Sequence, residues 1–374
     1  MQVPTGLYIH IPFCKAKCSY CDFYSVGYTE SLADDYIKAL VSEYSRLIAY
    51  FGDITFDSVY IGGGTPSMLT EKQLSRLVET LNNSGRLKSD LEFSIEVNPE
   101  SASKFEFYRR LGINRLSIGI QSLNDNILKR LNRVHTARDA MRAIKEASNF
   151  FNNISADLMI GLPAQTSHDV VDTLNQIIPY ITHLSAYILK LASNTQMHRE
   201  VQENIIILPE DDVVIDQYED LVCECAKFGL ERYEISNFSK ADEYNSKHNL
   251  KYWKCQEYCG IGSSAHSFLN RKRFSNDANI FEYINDAKQT FPNTYESVQK
   301  NSDSDILLDT IMLGLRLVKG IDIEKVNKEF KIDFLRKFES KIKKLRKFVE
   351  YKGGMFFIKP EYLTVQNSIV VEFF

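Results

Sequence analysis

The chain has 374 residues, with 45 basic and 49 acidic side chains and a formal charge of -4. That length suits one large α/β domain with a small appendage, and the near balance of charge leaves no field strong enough to draw the protein to nucleic acid or an anionic membrane. The longest apolar runs are too short to span a bilayer and the start lacks a leader's basic and apolar segments, so the sequence reads as cytoplasmic and not itself transmembrane.

Short β-branched and aromatic runs alternate with longer amphipathic ones, the pattern of repeated βα units. Strands are predicted at 7–11, 58–61, 92–97, 115–120, 155–160 and 183–189, with covering helices over 34–50, 71–81, 137–150 and 168–179. Thr70 and Thr136 are placed to cap two of these helices. The early strands run into polar or glycine residues at their C-terminal ends, the face on which barrels of this kind gather their chemistry. Six units rather than eight imply an incomplete, TIM-like (β/α)6 barrel with a lateral opening. A further helix is predicted over 210–230. Residues 233–274, rich in Asn, Gly, Ser and aromatics, read as loops and short strands over the barrel mouth. A polar boundary follows at 291–304, then helices over 305–318, 323–330 and 335–351 and strands at 355–358 and 368–373, which suggests a small winged-helix-like α+β module. The expected division is a barrel at 1–232, an extension over its mouth at 233–295 and the module at 296–374.

Seven cysteines form no disulfide framework in a chain this long. Cys14, Cys18 and Cys21 lie in one loop after the first strand. Three thiolates suit a 4Fe-4S cluster with one iron left open, whereas structural zinc needs a fourth ligand, for which His10 is the available candidate. Cys223, Cys225, Cys255 and Cys259 read as ordinary thiols, the first two directed to different faces of their helix.

The segments 6–14 and 18–23 resemble the signature of the radical S-adenosylmethionine (SAM) superfamily, in the form shared by oxygen-independent coproporphyrinogen III dehydrogenase and the heme chaperone HemW. The resemblance implies a radical SAM barrel in which the open iron is chelated by SAM and electron transfer from the cluster breaks its sulfonium bond. It implies that Gly62, Gly63, Gly64 and Thr65 hold the methionine part of SAM through backbone groups, and that Glu96, Gln121, Arg133 and Asp157 are polar ligands of that cofactor. Tyr8 and Tyr20 match aromatic positions beside it. Taken singly, Glu96 and Asp157 also read as buried structural carboxylates, and Arg133 as a partner of Asp125.

Two departures separate the relatives. Where the dehydrogenase carries a fourth cysteine, this chain has Phe23, and it begins only a few residues before its first strand. The segment 248–253 resembles the HNxxYW motif of HemW, and 312–317 and 367–372 resemble its C-terminal module. By that likeness His248 is an axial heme ligand, with Tyr252 and Trp253 as flat apolar area for the porphyrin, and His266 is a weaker candidate. The implied function is binding of heme as cargo and its delivery to heme-accepting respiratory proteins at the membrane. A radical enzyme acting on coproporphyrinogen III is the alternative. Cys259 stands where an apolar residue is usual.

Overall fold

The computed structural model describes residues 4–287 and 299–374. All six predicted barrel strands are present: β1 (Thr5–Ile11), β2 (Phe56–Gly63), β3 (Leu87–Val97), β4 (Arg115–Gln121), β5 (Asn153–Ile160) and β6 (His183–Ile188). They pair in parallel in chain order. The crossovers contain α1 (Glu30–Phe51), α2 (Glu71–Asn83), α3 (Ala137–Ala147) and α4 (Ser167–Ile177). Each of the four starts at a threonine whose hydroxyl accepts a first-turn amide. At Thr70, Thr136 and Thr166 the third helical side chain bonds back to close a capping box. The helix expected over 210–230 is α5 (Asp211–Lys227).

Period-two alternation sends apolar residues outward beneath the helices: Leu7, Ile9 and Ile11 in β1, Phe93, Ile95 and Val97 in β3, and Leu116, Ile118 and Ile120 in β4 all belong to one large core. The intervening residues are polar or aromatic: Tyr8 and His10, Ser58 and Tyr60, Glu92, Ser94 and Glu96, Ser117 and Gln121, Ser155 and Asp157, His183 and Ser185. Side-chain hydrogen bonds join these residues across neighbouring strands, from Tyr60 to Glu96, Ser117 to Asp157 and Ser155 to His183. The barrel interior is therefore a polar column rather than packed layers of aliphatic side chains.

The sheet does not stop at six strands. Tyr258–Ile261 adds a seventh parallel strand beside β1, and three antiparallel strands continue that edge. Asn237–Ser239 pairs antiparallel with β6 at the other edge, so the ladder is linear and the barrel incomplete. This corrects the expectation that 233–295 covers the mouth, as far as its described part, 233–287, goes: its strands edge the sheet on both sides, and its short helix α6 (Lys247–Trp253) closes the N-terminal end of the barrel. The amides of Lys247 and His248 donate to the Glu92 carboxylate, and Lys251 Nζ bonds the Pro4 carbonyl and Asp57. A carboxylate on the free amides of a helix start is electrostatically favourable and anchors α6 there.

The C-terminal module has its own core, built around Phe334, Phe338, Phe356 and Phe373. Its three antiparallel strands are Ile321–Asp322, Met355–Ile358 and Val349–Lys352. Helix α7 (Asp303–Gly314) and the helix Ile323–Phe330 match expectation. Two predictions here are corrected. The helix expected to 351 ends at Leu345, because Gly353 and Gly354, at φ 60° and 82°, make the tight turn of a hairpin between Val349–Lys352 and Met355–Ile358. Residues expected as a strand at 368–373 are helical, in Gln366–Val370 and the turn after it, where Ile369, Val370 and Phe373 pack into the module core. The first part of the predicted boundary at 291–304 lies outside the described residues.

Candidate cofactor site

The C-terminal ends of the strands surround a cavity of about 460 Å³. Its lining brings together Cys14, Cys18, Cys21, Tyr20, Gly63, Gly64, Thr65, Glu96, Gln121, Arg133 and Asp157, residues spread over more than 140 positions of sequence. Tyr8 and Gly62 are not part of that lining; Tyr8 pairs with the lining residue Tyr60 and Gly62 follows it toward the strand end. His248, Tyr252 and Trp253 are elsewhere.

The three thiols are free and half-buried. Burial pushes the Cys14 and Cys21 thiols above their usual range, so metal binding there releases protons. Two donors face the sulfurs: Thr65 Oγ1 at 3.6 Å from Cys14 Sγ and Arg133 Nη1 at 3.4 Å from Cys18 Sγ. A hydroxyl and a guanidinium aimed at sulfur favour thiolates. Among the described residues no three or more His, Cys, Asp or Glu side chains converge to hold a single metal ion. A cubane asks for something different, since each of its cysteines binds a separate iron.

The glycine turn is shaped by its neighbours. A Cβ on Gly63, which sits at φ 113°, would stand 2.5 Å from the His10 ring, and one on Gly62 would stand 2.9 Å from Glu96 Oε1. The amides of this turn are engaged within the fold: Gly63 to Glu96 Oε2, Gly64 to the Ile11 carbonyl and Thr65 to the Phe13 carbonyl. His10 itself is fixed as a tautomer. Its Nε2 faces the Tyr24 carbonyl and must donate, so Nδ1 accepts from the Tyr8 hydroxyl at 3.0 Å. That places His10 and Tyr8 as supports of the turn and gives His10 no free nitrogen to complete a zinc site.

Glu96 accepts from Tyr60 Oη at 2.9 Å, and Asp157 accepts from Ser117 Oγ with both oxygens. Burial, reinforced by the Asp157 charge, raises Glu96 to about 7, and burial raises Asp157 to about 6. Two carboxyls strained toward neutrality in one cavity are suited to a cationic ligand, whose charge restores both anions. Two buried polar atoms without partners point the same way: Gln121 Oε1 and Arg133 Nε. Gln121 is held at φ 59°, at a register shift between β4 and β5. Backbone strain and an unpaired acceptor at one strand end are features that a bound ligand compensates. The donor set thus fits an iron-sulfur cluster beside a molecule carrying a sulfonium, an ammonium and a carboxylate.

Sequence reasoning missed Asn98, which takes a 2.8 Å bond from Arg133 Nη2, and the supports Tyr60 and Ser117. The polar alternation in β2 and β4 carried that signal. His248 requires correction. It is 1 % exposed, and its Nδ1 and Nε2 are bonded to Ser58 Oγ at 3.1 Å and Tyr252 Oη at 2.9 Å, leaving no nitrogen for iron. Trp253 lies under Arg316, 4.4 Å from its ring, toward the C-terminal module. His266 is exposed at the start of a strand in the antiparallel extension of the sheet. Cys223 is exposed and Cys225 buried on the same helix, and Cys259 is packed in the core.

Comparison with known proteins agrees with this geometry. Residues 8–177 match the Radical SAM superfamily model and 301–350 the HemN C-terminal domain. The chain is 35 % identical over 329 residues to the heme chaperone HemW of Bacillus subtilis, covering 86 % of each protein. It is 37 % identical over 268 residues to HemW of Escherichia coli, covering 70 % of each. The solved structure of the E. coli coproporphyrinogen III oxidase (HemN), a radical SAM enzyme, superposes with a TM-score of 0.84 at 21 % identity, covering 99 % of this chain and 90 % of that one.

Proposed function

The chain belongs to the radical SAM superfamily and, within it, to the HemW family, and from that premise we propose that it is a heme chaperone: it binds heme and passes it to heme-accepting respiratory proteins at the membrane. The observation that carries the reading is 35 % identity to a heme chaperone across 86 % of both chains, against 21 % to the oxidase whose fold it shares. Among the described residues no helix is long and apolar enough to cross a membrane.

In this reading Cys14, Cys18 and Cys21 hold a 4Fe-4S cluster, and the cavity beside them holds SAM. When bound, that pair supplies one-electron chemistry at a sulfonium. The chain's own residues bind and orient. Glu96 and Asp157 offer acceptors to a cation and to hydroxyls, Arg133 offers donors to a carboxylate, and the turn at residues 62–65 fixes the depth of the pocket. Phe23, in place of a fourth cysteine, favours the chaperone over the dehydrogenase.

Anaerobic reconstitution is expected to load about four irons and four sulfides, and replacing any one of the three cysteines by serine to abolish the absorption near 400 nm. Incubation of the loaded protein with reductant, SAM and coproporphyrinogen III is expected to leave the substrate unchanged. Formation of protoporphyrinogen would overturn the chaperone reading in favour of the enzyme.

A further inference from the structure

Three large apolar side chains of the cofactor cavity's lining stand exposed: Phe23 at 62 %, Val134 at 45 % and Tyr187 at 44 %. They come from three segments of chain: the cysteine loop, the loop after the short helix Asp125–Arg130 and the end of β6. One exposed hydrophobe means little, but several gathered from separate segments at one cavity mouth mark a binding surface. Cations share that mouth. Of its charged lining, the exposed members are Lys15, Lys17 and Lys190 against Asp22 and Glu100, whereas Glu96, Arg133 and Asp157 are less exposed, and Lys17 Nζ is tied to the Phe23 carbonyl at 3.2 Å.

We propose that this rim is the seat of the tetrapyrrole, a flat apolar macrocycle lying against Phe23, Val134 and Tyr187 with its carboxylates toward the lysines. The proposal rests on the heme-chaperone reading and gives it a place. The occupant follows from chemistry: a large apolar face bearing carboxylates matches an apolar rim with an excess of cations. The motif at 248–253 offers no competing seat. His248 contacts Glu92 through its amide, four residues below Glu96 on β3, and its ring lies behind the lining residue Tyr60. The Tyr60 ring, stacked on His248 at 5.3 Å and bonded to Glu96, lies between them.

The test compares hemin with iron-free protoporphyrin IX on the cluster-loaded full chain, by absorbance and by fluorescence quenching. A seat made of apolar area and lysines is expected to bind both within about an order of magnitude. The double variant Phe23→Ser, Val134→Ser is expected to weaken both by tenfold or more with the iron-sulfur absorption unchanged, since each side chain buries apolar area. His248→Ala is expected to leave binding within twofold. Hemin-only binding that is lost in His248→Ala and kept in the rim variant overturns the seat while leaving the chaperone reading standing. Failure of the unaltered chain to bind either porphyrin overturns both. Binding to anionic phospholipid vesicles that the rim variant loses, with porphyrin affinity unchanged, assigns the rim to a lipid surface instead.

Discussion

Glu96 carries the pH behaviour of the cofactor site. Its carboxyl is raised to about 7 because burial and the nearby Asp157 both penalise its charge. A cation binds to the ionised form, so SAM binding must expel a proton wherever Glu96 begins protonated. Affinity is therefore expected to climb from pH 5.5 toward 8, approaching tenfold per unit below 7, and then to level. Glu96→Gln removes a charge-assisted contact and is expected to weaken binding about ten- to a hundredfold at pH 8 while flattening that rise. Equilibrium dialysis of labelled SAM under nitrogen reads both, and a flat profile for the unaltered protein would show that Glu96 does not meet the cation. The carboxylate itself was legible as a polar residue ending an apolar strand. Its partner Tyr60 was not, because tyrosine is as common in a buried strand as beside a ligand.

At the scale of an element, α6 shows how a motif can be conspicuous without serving as a site. Within seven residues it supplies His248 to Ser58 and Tyr252, Lys251 to Asp57 and the Pro4 carbonyl, and Trp253 to Arg316. These contacts tie strands β1 and β2 to the C-terminal module from beneath the barrel. Removing the imidazole leaves a cavity and two hydroxyls without their partner, so His248→Ala is expected to destabilise the fold by about 3 kcal/mol. Urea denaturation followed by far-UV circular dichroism gives the midpoint; no shift in it would return His248 to the list of candidate ligands. Sequence spacing could not settle this. His-x-x-x-Tyr on one helix face fits a porphyrin and a buried hydrogen bond equally well, and only the strands that α6 meets distinguish them.

For the whole molecule, histidines buried within and beside the barrel set how stability varies with pH. Burial holds His10 and His135 at about 4 and His248 at about 3, and lowers His183 well below its usual value. Each stays neutral when folded and takes up a proton on unfolding below about pH 6.5, so each contributes stability that falls away as acid is added. Glu96 and Asp157 act in the opposite sense. Protonated in the fold and ionised once unfolded, they withdraw stability as pH rises through 6 to 7. Glu43 and Glu234, whose carboxyls burial also raises, join them, so the slope between pH 6 and 5 in the cofactor-free chain is the difference between two opposed sets, each histidine supplying up to about 1.4 kcal/mol per unit. Urea midpoints of the unaltered chain and of His10→Gln across that interval are expected to differ in slope by that amount, and equal slopes would contradict the role of the buried histidines. The sequence alone determined the six βα units, their threonine caps and the cysteine loop, because alternation, capping and ligand spacing are local properties written within a few residues. Only the tertiary structure decided that Tyr258–Ile261 joins the sheet beside β1, that the segment before it seals the far end of the barrel, and that exposed apolar residues from three segments meet at the mouth. Those outcomes depend on pairings between residues up to 252 positions apart, which no local pattern records.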